Sequence, residues 1–486
     1  MKGMAKTSAG AGVSEAMTDR QKTAAFVTVL IALVLEVADS TIVNTALPEI
    51  RRVLGASPAA MQWTVAGYLL ALGSLLLLGG RLGDAFGYRR MFLIGVSCFV
   101  ATSTLCGLAQ TPDQLVIARL LQGAAGAMMG PQVMAIVQVL FTPIERVARL
   151  AWFGVIGGLA AILGPILGGL LIEANLFGLG WRLIFLINLP VGLLALWLGV
   201  RTIPHTRGAH GVRIDVPGAA LFAMGFAGVL LALIDGSEHD WPAWTLASGL
   251  GGLAAVYAGW RRACMRRRRN LPAMVEPTLF ELRTFRWGLL AILAFSSSAA
   301  GFLLVLAISL QQGLGKSPLQ TALVHMPFGL GVMVGISLVG KRYLPRFGRW
   351  LLVGGTAVLA LSGALSLVLV AGGDGGSVIL LMLLGCAGMG MGMVAGPLPP
   401  VVVADVDRVH AGTASATLRT AQQLGGAMGI AVIGSAFFLG ATGDGAGRLA
   451  GLMPACAVFV SLLVLSAIAS TRLPADIFGT RRPGQR

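Results

Sequence analysis

Long apolar runs recur from one end of the chain to the other, with short polar segments between them. Most runs hold about twenty residues, the length that an α-helix needs to cross the hydrocarbon core of a bilayer. The pattern predicts an all-α integral membrane protein with fourteen transmembrane helices. We expect the spans near 24–46, 59–80, 90–110, 114–140, 149–173, 181–201, 214–234, 244–261, 286–310, 318–340, 350–371, 377–402, 411–440 and 450–471.

The order of the spans predicts two bundles of six helices with two further helices between them. A weak internal repeat supports this division, because Gly80–Arg90 and Gly340–Trp350 share a glycine, a Phe-Gly pair and basic residues. The predicted segments are a cytoplasmic tail (1–23), an N-terminal bundle (24–203), an inserted helix pair (214–262), a basic cytoplasmic loop (263–285), a C-terminal bundle (286–472) and a second cytoplasmic tail (473–486).

Composition fits a membrane protein better than a soluble one. Of 486 residues, 56% are hydrophobic and 12% are charged, and the mean hydropathy is +0.83. A net charge of +16 would suggest a nucleic-acid partner in a soluble protein, but here the Lys and Arg residues lie in loops between spans. We expect membrane lipid beside these residues and no nucleic acid.

The distribution of basic residues predicts the orientation. With the N-terminus inside, 29 of the 36 Lys and Arg residues fall in cytoplasmic segments, five fall outside and two lie within spans. Short loops rich in Lys and Arg stay inside, so both termini are predicted to be cytoplasmic. The basic stretch from Arg261 to Arg286 either binds anionic lipid or a partner, or anchors the topology.

The chain lacks the patterns that mark a metal centre or an enzyme. Five cysteines and five histidines are scattered without the spacing of metal ligands. Neither H-E-x-x-H nor a phosphate-binding loop occurs. We expect no metal, no cofactor, no catalytic residue and no enzymatic activity.

Two carboxylates, Glu36 and Asp39, lie inside the first apolar run. A charge in hydrocarbon is costly unless it is paired or hydrated, so intramembrane carboxylates indicate function. Three residues apart, the two share one helical face. Arg119 in the fourth span is their candidate partner, on a face that it shares with Gln122 and several glycines. Alternatively, Arg119 extends to the outer membrane interface.

The stretch Gly80–Arg90 predicts a tight cytoplasmic turn, because its glycines permit conformations that other residues resist. It resembles the loop signature of the major facilitator superfamily, G-x-L-a-D-x-x-G-R-[RK]-[RK], with Tyr88 in place of the usual basic residue. The resemblance implies a transporter whose loop latches one access state. The implied gating residues are Gly80, Asp84, Gly87, Arg89 and Arg90.

Two motifs within the spans carry the resemblance further. The string R-x-x-Q-G, which begins at Arg119, is similar to the superfamily's fourth-helix motif, whose arginine takes part in proton coupling. The string G-P-x-x-G-G in the fifth span resembles the motif of drug–proton antiporters, with Ala160 in place of a preceding glycine. Small residues at this spacing by themselves indicate only close helix packing. The motif residues are Gly164, Pro165, Gly168 and Gly169.

Further stretches resemble the fourteen-helix drug:proton antiporter family, DHA2, of multidrug and antibiotic exporters. They are Asp39–Pro48, Gln62–Leu70 and Trp181–Pro190. The resemblance implies export of lipophilic, cationic drugs or antibiotics in exchange for protons, by alternating access, in a bacterial inner membrane. Asp39, Glu36 and Arg119 would couple the proton to the substrate. Candidate cavity residues are Asn44, Tyr68, Gln122 and Arg419.

Other functions fit parts of the pattern. A proton-coupled symporter, or an exporter of an endogenous metabolite or lipid, would use the same intramembrane charges. A membrane-embedded enzyme or receptor would need a catalytic constellation or a soluble domain, which the pattern does not offer. Arg419 either lines a cavity or extends to the cytoplasmic interface. We expect a monomer whose partners are a drug-like molecule, protons and lipid.

Overall fold

The computed structural model describes residues 17–206, 208, 214–407, 410–441 and 446–474, and it has no strand among them. The predicted tails fall largely outside the described residues, at 1–16 and 475–486. Two compact units divide the chain. The first comprises Met1–Met224 with Pro272–Met274, and the second comprises Gly225–Leu271 with Val275–Arg486.

The first unit is built from five long helices and a pair of shorter ones. They are α1 (Asp19–Leu54), α2 (Pro58–Phe86), α3 (Tyr88–Leu108), α4 (Pro112–Leu140), α5 (Pro143–Ala174), α6 (Leu183–Leu186) and α7 (Asn188–Thr202). Within the unit α4 packs against α2 and α3, while α1 packs against α5 and α7. Phe26, Phe92 and Phe99 belong to the apolar core that these helices share.

Capping residues determine where these helices begin. Thr18, Ser57, Thr111 and Thr142 each accept a hydrogen bond from the backbone N–H three residues later. A proline follows three of these caps, at the first helical position, where its missing N–H costs nothing. Gly55 ends α1 in the left-handed region, with φ of 67°.

The second unit holds the remaining helices, and α8 (Val216–Glu238) crosses the boundary between the units. The others are α9 (Ala243–Arg268), α10 (Arg283–Ile308), α11 (Pro318–Val334), α12 (Lys341–Phe347), α13 (Arg349–Ala371), α14 (Val378–Ala395), α15 (Leu398–Val402), α16 (Ala411–Gly440), α17 (Ala446–Leu449) and α18 (Leu452–Thr471). Within the unit α10 packs against α16 and α18, and α14 packs against α11 and α13. Because the boundary between the units falls inside α8, the predicted division into six, two and six helices stays a prediction.

Thirteen helical stretches of the described residues are long and apolar enough to cross a membrane. The helix at the predicted eighth span, α9, is formed but is not among them. Its sequence is rich in glycine and aromatic residues and ends in arginines, which lowers its hydropathy. The structure therefore has the helices of the predicted pattern, while the count of fourteen membrane spans stays a prediction.

Large apolar side chains are exposed along one face of several helices. On α5 these are Leu163, Leu167 and Leu170, and on α9 they include Leu250 and Leu253. Rows of this kind are rare on a soluble monomer and suit a surface that faces lipid.

Candidate functional site

Asp39 lies near the middle of α1, and its carboxylate is the centre of a buried polar network in the first unit. Oδ2 accepts a hydrogen bond from Nη1 of Arg119 at 2.6 Å. Oδ1 accepts hydrogen bonds from Nε2 of Gln122 at 2.8 Å and from Nδ2 of Asn188 at 2.9 Å. Because Arg119 and Gln122 lie on α4 and Asn188 begins α7, three helices meet at one carboxylate. A charge this deeply buried needs such dense pairing.

The Arg119 guanidinium is fully buried and is held from several directions. Nε donates to the carbonyl oxygen of Thr64 at 3.0 Å, and Nη1 also donates to Oε1 of Gln122 at 2.8 Å. The Tyr68 ring centroid lies 4.2 Å from Cζ, within the range of cation–π attraction. Among the described residues Nη2 has no hydrogen-bond partner. Arg119 thus pairs with Asp39 inside the protein, and the alternative of a side chain that extends to the membrane interface does not describe this structure.

Asn188 and Ser103 belong to the network, although neither is among the site residues that the sequence predicted. Nδ2 of Asn188 donates to Oγ of Ser103 at 2.9 Å as well as to Asp39, and Oγ of Ser103 donates to the Phe185 carbonyl oxygen at 2.9 Å. The available signal was an amide inside an apolar span, because a buried amide needs polar partners.

Glu36 is buried on α1, one turn before Asp39. It lies beside Gly130 of α4, where an added Cβ atom would come within 2.9 Å of Oε2 of Glu36. A side chain at position 130 would therefore displace the carboxylate. The two intramembrane carboxylates of α1 thus face α4, Asp39 at Arg119 and Glu36 at Gly130.

The G-P-x-x-G-G stretch of α5 packs directly on α1 beside Asp39. A Cβ atom added at Gly164 would meet Oγ1 of Thr41, and one added at Gly168 would come within 2.6 Å of Cγ1 of Ile42. Gly169 is buried and Pro165 is half-buried inside the helix. The glycines let two backbones approach closely, next to the network.

The segment Gly80–Arg90 differs from the tight turn that its sequence predicted. Helix α2 continues through Gly80 and Asp84 to Phe86, and only Gly87 separates it from α3. Gly87 has φ of 93°, a conformation that favours glycine. The prediction that Gly80–Arg90 as a whole forms a tight turn was wrong, because glycines inside a membrane helix serve close packing as well as turns.

Hydrogen bonds hold the same segment in place within the first unit. Oδ1 of Asp84 accepts a hydrogen bond from the Tyr88 hydroxyl at 2.9 Å, so the residue that departs from the family signature is the one that Asp84 bonds. The backbone N–H of Arg89 donates to Oγ1 of Thr206 at 3.1 Å, and its guanidinium donates to the Val200 carbonyl oxygen at 2.5 Å. Arg90 is exposed. Of the gating candidates, Arg89 and Gly87 therefore contact the end of α7 or the residues after it.

The remaining cavity candidates lie apart from the ion pair. Asn44 is half-buried on α1, five residues beyond Asp39. Arg419 is half-buried on α16 and belongs to the second unit. The structure thus gathers Tyr68 and Gln122 around Arg119, while the roles of Asn44 and Arg419 stay predictions.

Comparison with known proteins assigns the family. The sequence model of the Major Facilitator Superfamily matches residues 29–430 of this chain. The chain belongs to the major facilitator superfamily. Membership of this superfamily indicates a multi-pass membrane transporter rather than an enzyme.

Relatives of this superfamily transporter handle antibiotics according to their names. A probable actinorhodin transporter of Streptomyces coelicolor is 40% identical over 85% of this chain and 72% of its own length. The puromycin resistance protein pur8 of Streptomyces alboniger is 37% identical over 89% of this chain and 84% of its own length. These relatives agree with the resemblance to antibiotic exporters of the DHA2 type.

A solved structure shows the same fold at low sequence identity. A bacterial homologue of the human lysosomal transporter Spinster, in an inward-facing and unoccupied conformation, has a TM-score of 0.64 to this superfamily member. It shares 16% identity, and the match covers 94% of this chain and 97% of the other. This likeness supports the major facilitator fold and carries no argument about substrate.

Proposed function

We propose that the chain is a secondary active transporter of a bacterial cell membrane that exports lipophilic, cationic drugs or antibiotics in exchange for protons. The observation that carries the proposal is the buried Asp39 carboxylate, paired with Arg119 and bonded by Gln122 and Asn188. The names of the relatives, an actinorhodin transporter and a puromycin resistance protein, supply the class of cargo.

Protonation of Asp39 would give the Asp39–Arg119 pair a second charge state, in which the guanidinium of Arg119 is no longer compensated. While Asp39 is ionised, its charge compensates the guanidinium of Arg119. A proton on Oδ2 would cancel that charge and occupy the position to which Nη1 now donates. Since a buried charge without its partner is strongly unfavourable, protonation would favour a different arrangement of α1 and α4. Two arrangements of unequal proton affinity are what a proton-driven cycle requires.

A cationic substrate would compete with the proton for the same carboxylate. Asp39, Glu36 and Arg119 together carry one net negative charge when both carboxylates are ionised. One proton or one cationic substrate would neutralise that charge, so the two would occupy the site in turn, which produces exchange rather than cotransport. Glu36, on the same face of α1, supplies a second carboxylate to this exchange. Tyr68 and Gln122 would border the substrate where they now border Arg119.

Alternating access would open the Asp39 site to one side of the membrane and then to the other. Helix α5 would transmit part of this change, because Gly164 and Gly168 place it directly on α1 at Thr41 and Ile42. The segment from Gly80 to Arg90 would gate one side. In this proposal the transporter works as a monomer surrounded by lipid.

Transport in everted membrane vesicles tests the proposal. With an imposed proton gradient, the parent protein should carry ethidium, a lipophilic cation, into the lumen and release protons from it at the same time. Asp39→Asn should lose both activities, because its side chain can no longer exchange a proton. Glu49→Gln is the matched control: Glu49 is also a carboxylate of α1, but it pairs with Arg52 outside the network.

Two outcomes would overturn the proposal. Full proton-coupled transport by Asp39→Asn would remove this carboxylate from the mechanism. Uptake of substrate into intact cells, driven by an inward proton gradient, would favour a proton-coupled symporter instead. The same assay with Glu36→Gln shows which of the two carboxylates exchanges the proton.

A further inference from the structure

Helix α9 carries one exposed stripe that changes from apolar to basic along its length. At 100° per residue, its six members fall within a sector about 80° wide. Thr245, Gly252, Gly259 and Ala263 are buried on the opposite face. The exposed members are Leu246, Leu250, Leu253, Tyr257, Arg261 and Arg268.

The two arginines of the stripe suit the depth of lipid headgroups. Arg261 follows Trp260, whose ring packs edge-on against Phe280 with 4.9 Å between centroids. A tryptophan at the end of an apolar helix is typical of the membrane interface. Arg268 lies about 10.5 Å further along the axis, at 1.5 Å per residue. One headgroup layer is about 5–8 Å thick on each side of the bilayer, so Arg261 would lie at its inner edge and the long side chain of Arg268 would extend into it from the water side.

The guanidiniums of Arg261 and Arg268 are available for a ligand, whereas that of the neighbouring Arg267 is not. Nε of Arg267 lies 3.2 Å from Oε1 of Glu276, so this charge is already paired. Arg261 and Arg268 have no ion pair or hydrogen bond from their side chains within the described part of the chain. A guanidinium matches the geometry of a phosphate oxygen pair.

We propose that this stripe of α9 is a docking surface for an anionic phospholipid. Its acyl chains would lie along Leu250 and Leu253, and its phosphate group would bind Arg261 and Arg268. Charge complementarity selects this occupant, because exposed leucines lead straight into two uncompensated cations on one helix face. A topology anchor alone would require the positive charges but no defined partner.

Lipid titration of the purified full-length protein in a neutral detergent tests the inference, with native mass spectrometry as the readout. Phosphatidylglycerol should bind, whereas phosphatidylcholine should not, because its headgroup has no net charge. Inorganic phosphate should not bind measurably, because it lacks acyl chains. Arg261→Gln/Arg268→Gln should weaken phosphatidylglycerol binding about thirtyfold, which is about fivefold for each basic residue. Arg261→Lys/Arg268→Lys should keep most of the affinity.

The control removes the same charge elsewhere in the second unit. Arg342 and Arg346 are exposed on α12, so Arg342→Gln/Arg346→Gln should bind phosphatidylglycerol as the parent does. Should the double α9 variant fail to fold, Arg268→Gln alters only the exposed last residue of the helix and should still lose about fivefold. Equal affinity in parent and α9 variants would overturn the inference. An equal loss of affinity in the α12 variant would also overturn it. The same holds if free phosphate binds as tightly as the lipid, or if an acidic peptide displaces the lipid.

Discussion

Nη1 of Arg119 lies 2.6 Å from Oδ2 of Asp39, although the two residues are 80 positions apart in the chain. Both side chains are fully buried. Neighbouring groups support the pair, since Gln122 and Asn188 donate to Asp39 and the Thr64 carbonyl accepts from Arg119. The pair is therefore a single electrostatic unit, and the stability of each charge depends on the other.

Removal of Arg119 alone should destabilise the protein strongly. In Arg119→Leu the Asp39 carboxylate stays buried without a compensating charge, so we expect the free energy of unfolding to fall by about 3–5 kcal/mol. Denaturant titration of the purified protein in mixed micelles measures this change.

The double variant separates charge pairing from packing. Asp39→Asn/Arg119→Leu has no charge left to compensate, so it should regain at least half of the stability that Arg119→Leu loses. It should still be inactive in proton-coupled efflux, because the exchangeable carboxylate is gone. Equal instability of the single and double variants would mean that Arg119 contributes packing rather than charge.

Asn188 should be needed for transport more than Ser103 is. Asn188→Ala removes a hydrogen bond to Oδ1 of Asp39, so we expect at least a tenfold loss of efflux and a stability cost of about 1–3 kcal/mol. Ser103→Ala keeps the Asn188–Asp39 bond and removes only the outer partner. Drug-susceptibility profiles with matched expression levels compare the two. If Ser103→Ala is the more damaging change, Asn188 does not act through Asp39.

Hydropathy predicted the existence of the helices better than their ends. The fourth span was predicted at 114–140, and α4 is Pro112–Leu140. The first span was predicted at 24–46, whereas α1 runs from Asp19 to Leu54, because a capping threonine and Gly55 determine its ends. The span predicted at 181–201 is one candidate membrane span, Gly180–Thr202. The backbone of Ile187, between α6 and α7, stays helical, although Pro190 offers no N–H to the carbonyl four residues earlier.

The sequence predicted the charged residues of the site but missed the uncharged Asn188. Asp39 and Arg119 were identifiable because charged side chains in apolar runs are costly. Asn188 carries no charge, and it reaches Asp39 from 149 positions away, so neither composition nor helical spacing relates the two. The bond between Asp84 and Tyr88 was missed because the segment was expected to turn, whereas α2 stays helical to Phe86.

Two glycines on α5 should respond differently to substitution by alanine. At Gly164 an added Cβ atom would meet Oγ1 of Thr41 and would lie 3.2 Å from the Ala38 carbonyl oxygen, so α5 must move away from α1. At Gly157 an added Cβ atom meets nothing within 4 Å. Gly164→Ala should therefore lower both thermal stability and efflux, and Gly157→Ala should leave both close to the parent values. Thermal unfolding followed by fluorescence-detected size exclusion measures the first, and ethidium efflux measures the second. Parent-like behaviour of Gly164→Ala would show that close contact of α5 with α1 is dispensable.

Gly87 should be more sensitive to alanine than Gly55, although both have positive φ, 93° and 67°. An alanine at Gly55, which is left-handed helical with ψ of 30°, should cost about 1–2 kcal/mol of backbone strain. The strain should be larger at Gly87, because its ψ of 136° lies in a region that L-residues avoid almost completely. Only at Gly87 does an added Cβ atom also meet the carbonyl oxygen of Thr206, the residue whose hydroxyl accepts from the Arg89 backbone. Gly87→Ala should therefore detach the end of α2 from the segment after α7, and it should slow efflux well beyond the loss seen in Gly55→Ala at equal expression. Initial rates of ethidium efflux, with thermal unfolding as a parallel measure of stability, test this difference. Equal rates in the two variants would indicate that the Gly87–Thr206 approach does not take part in gating.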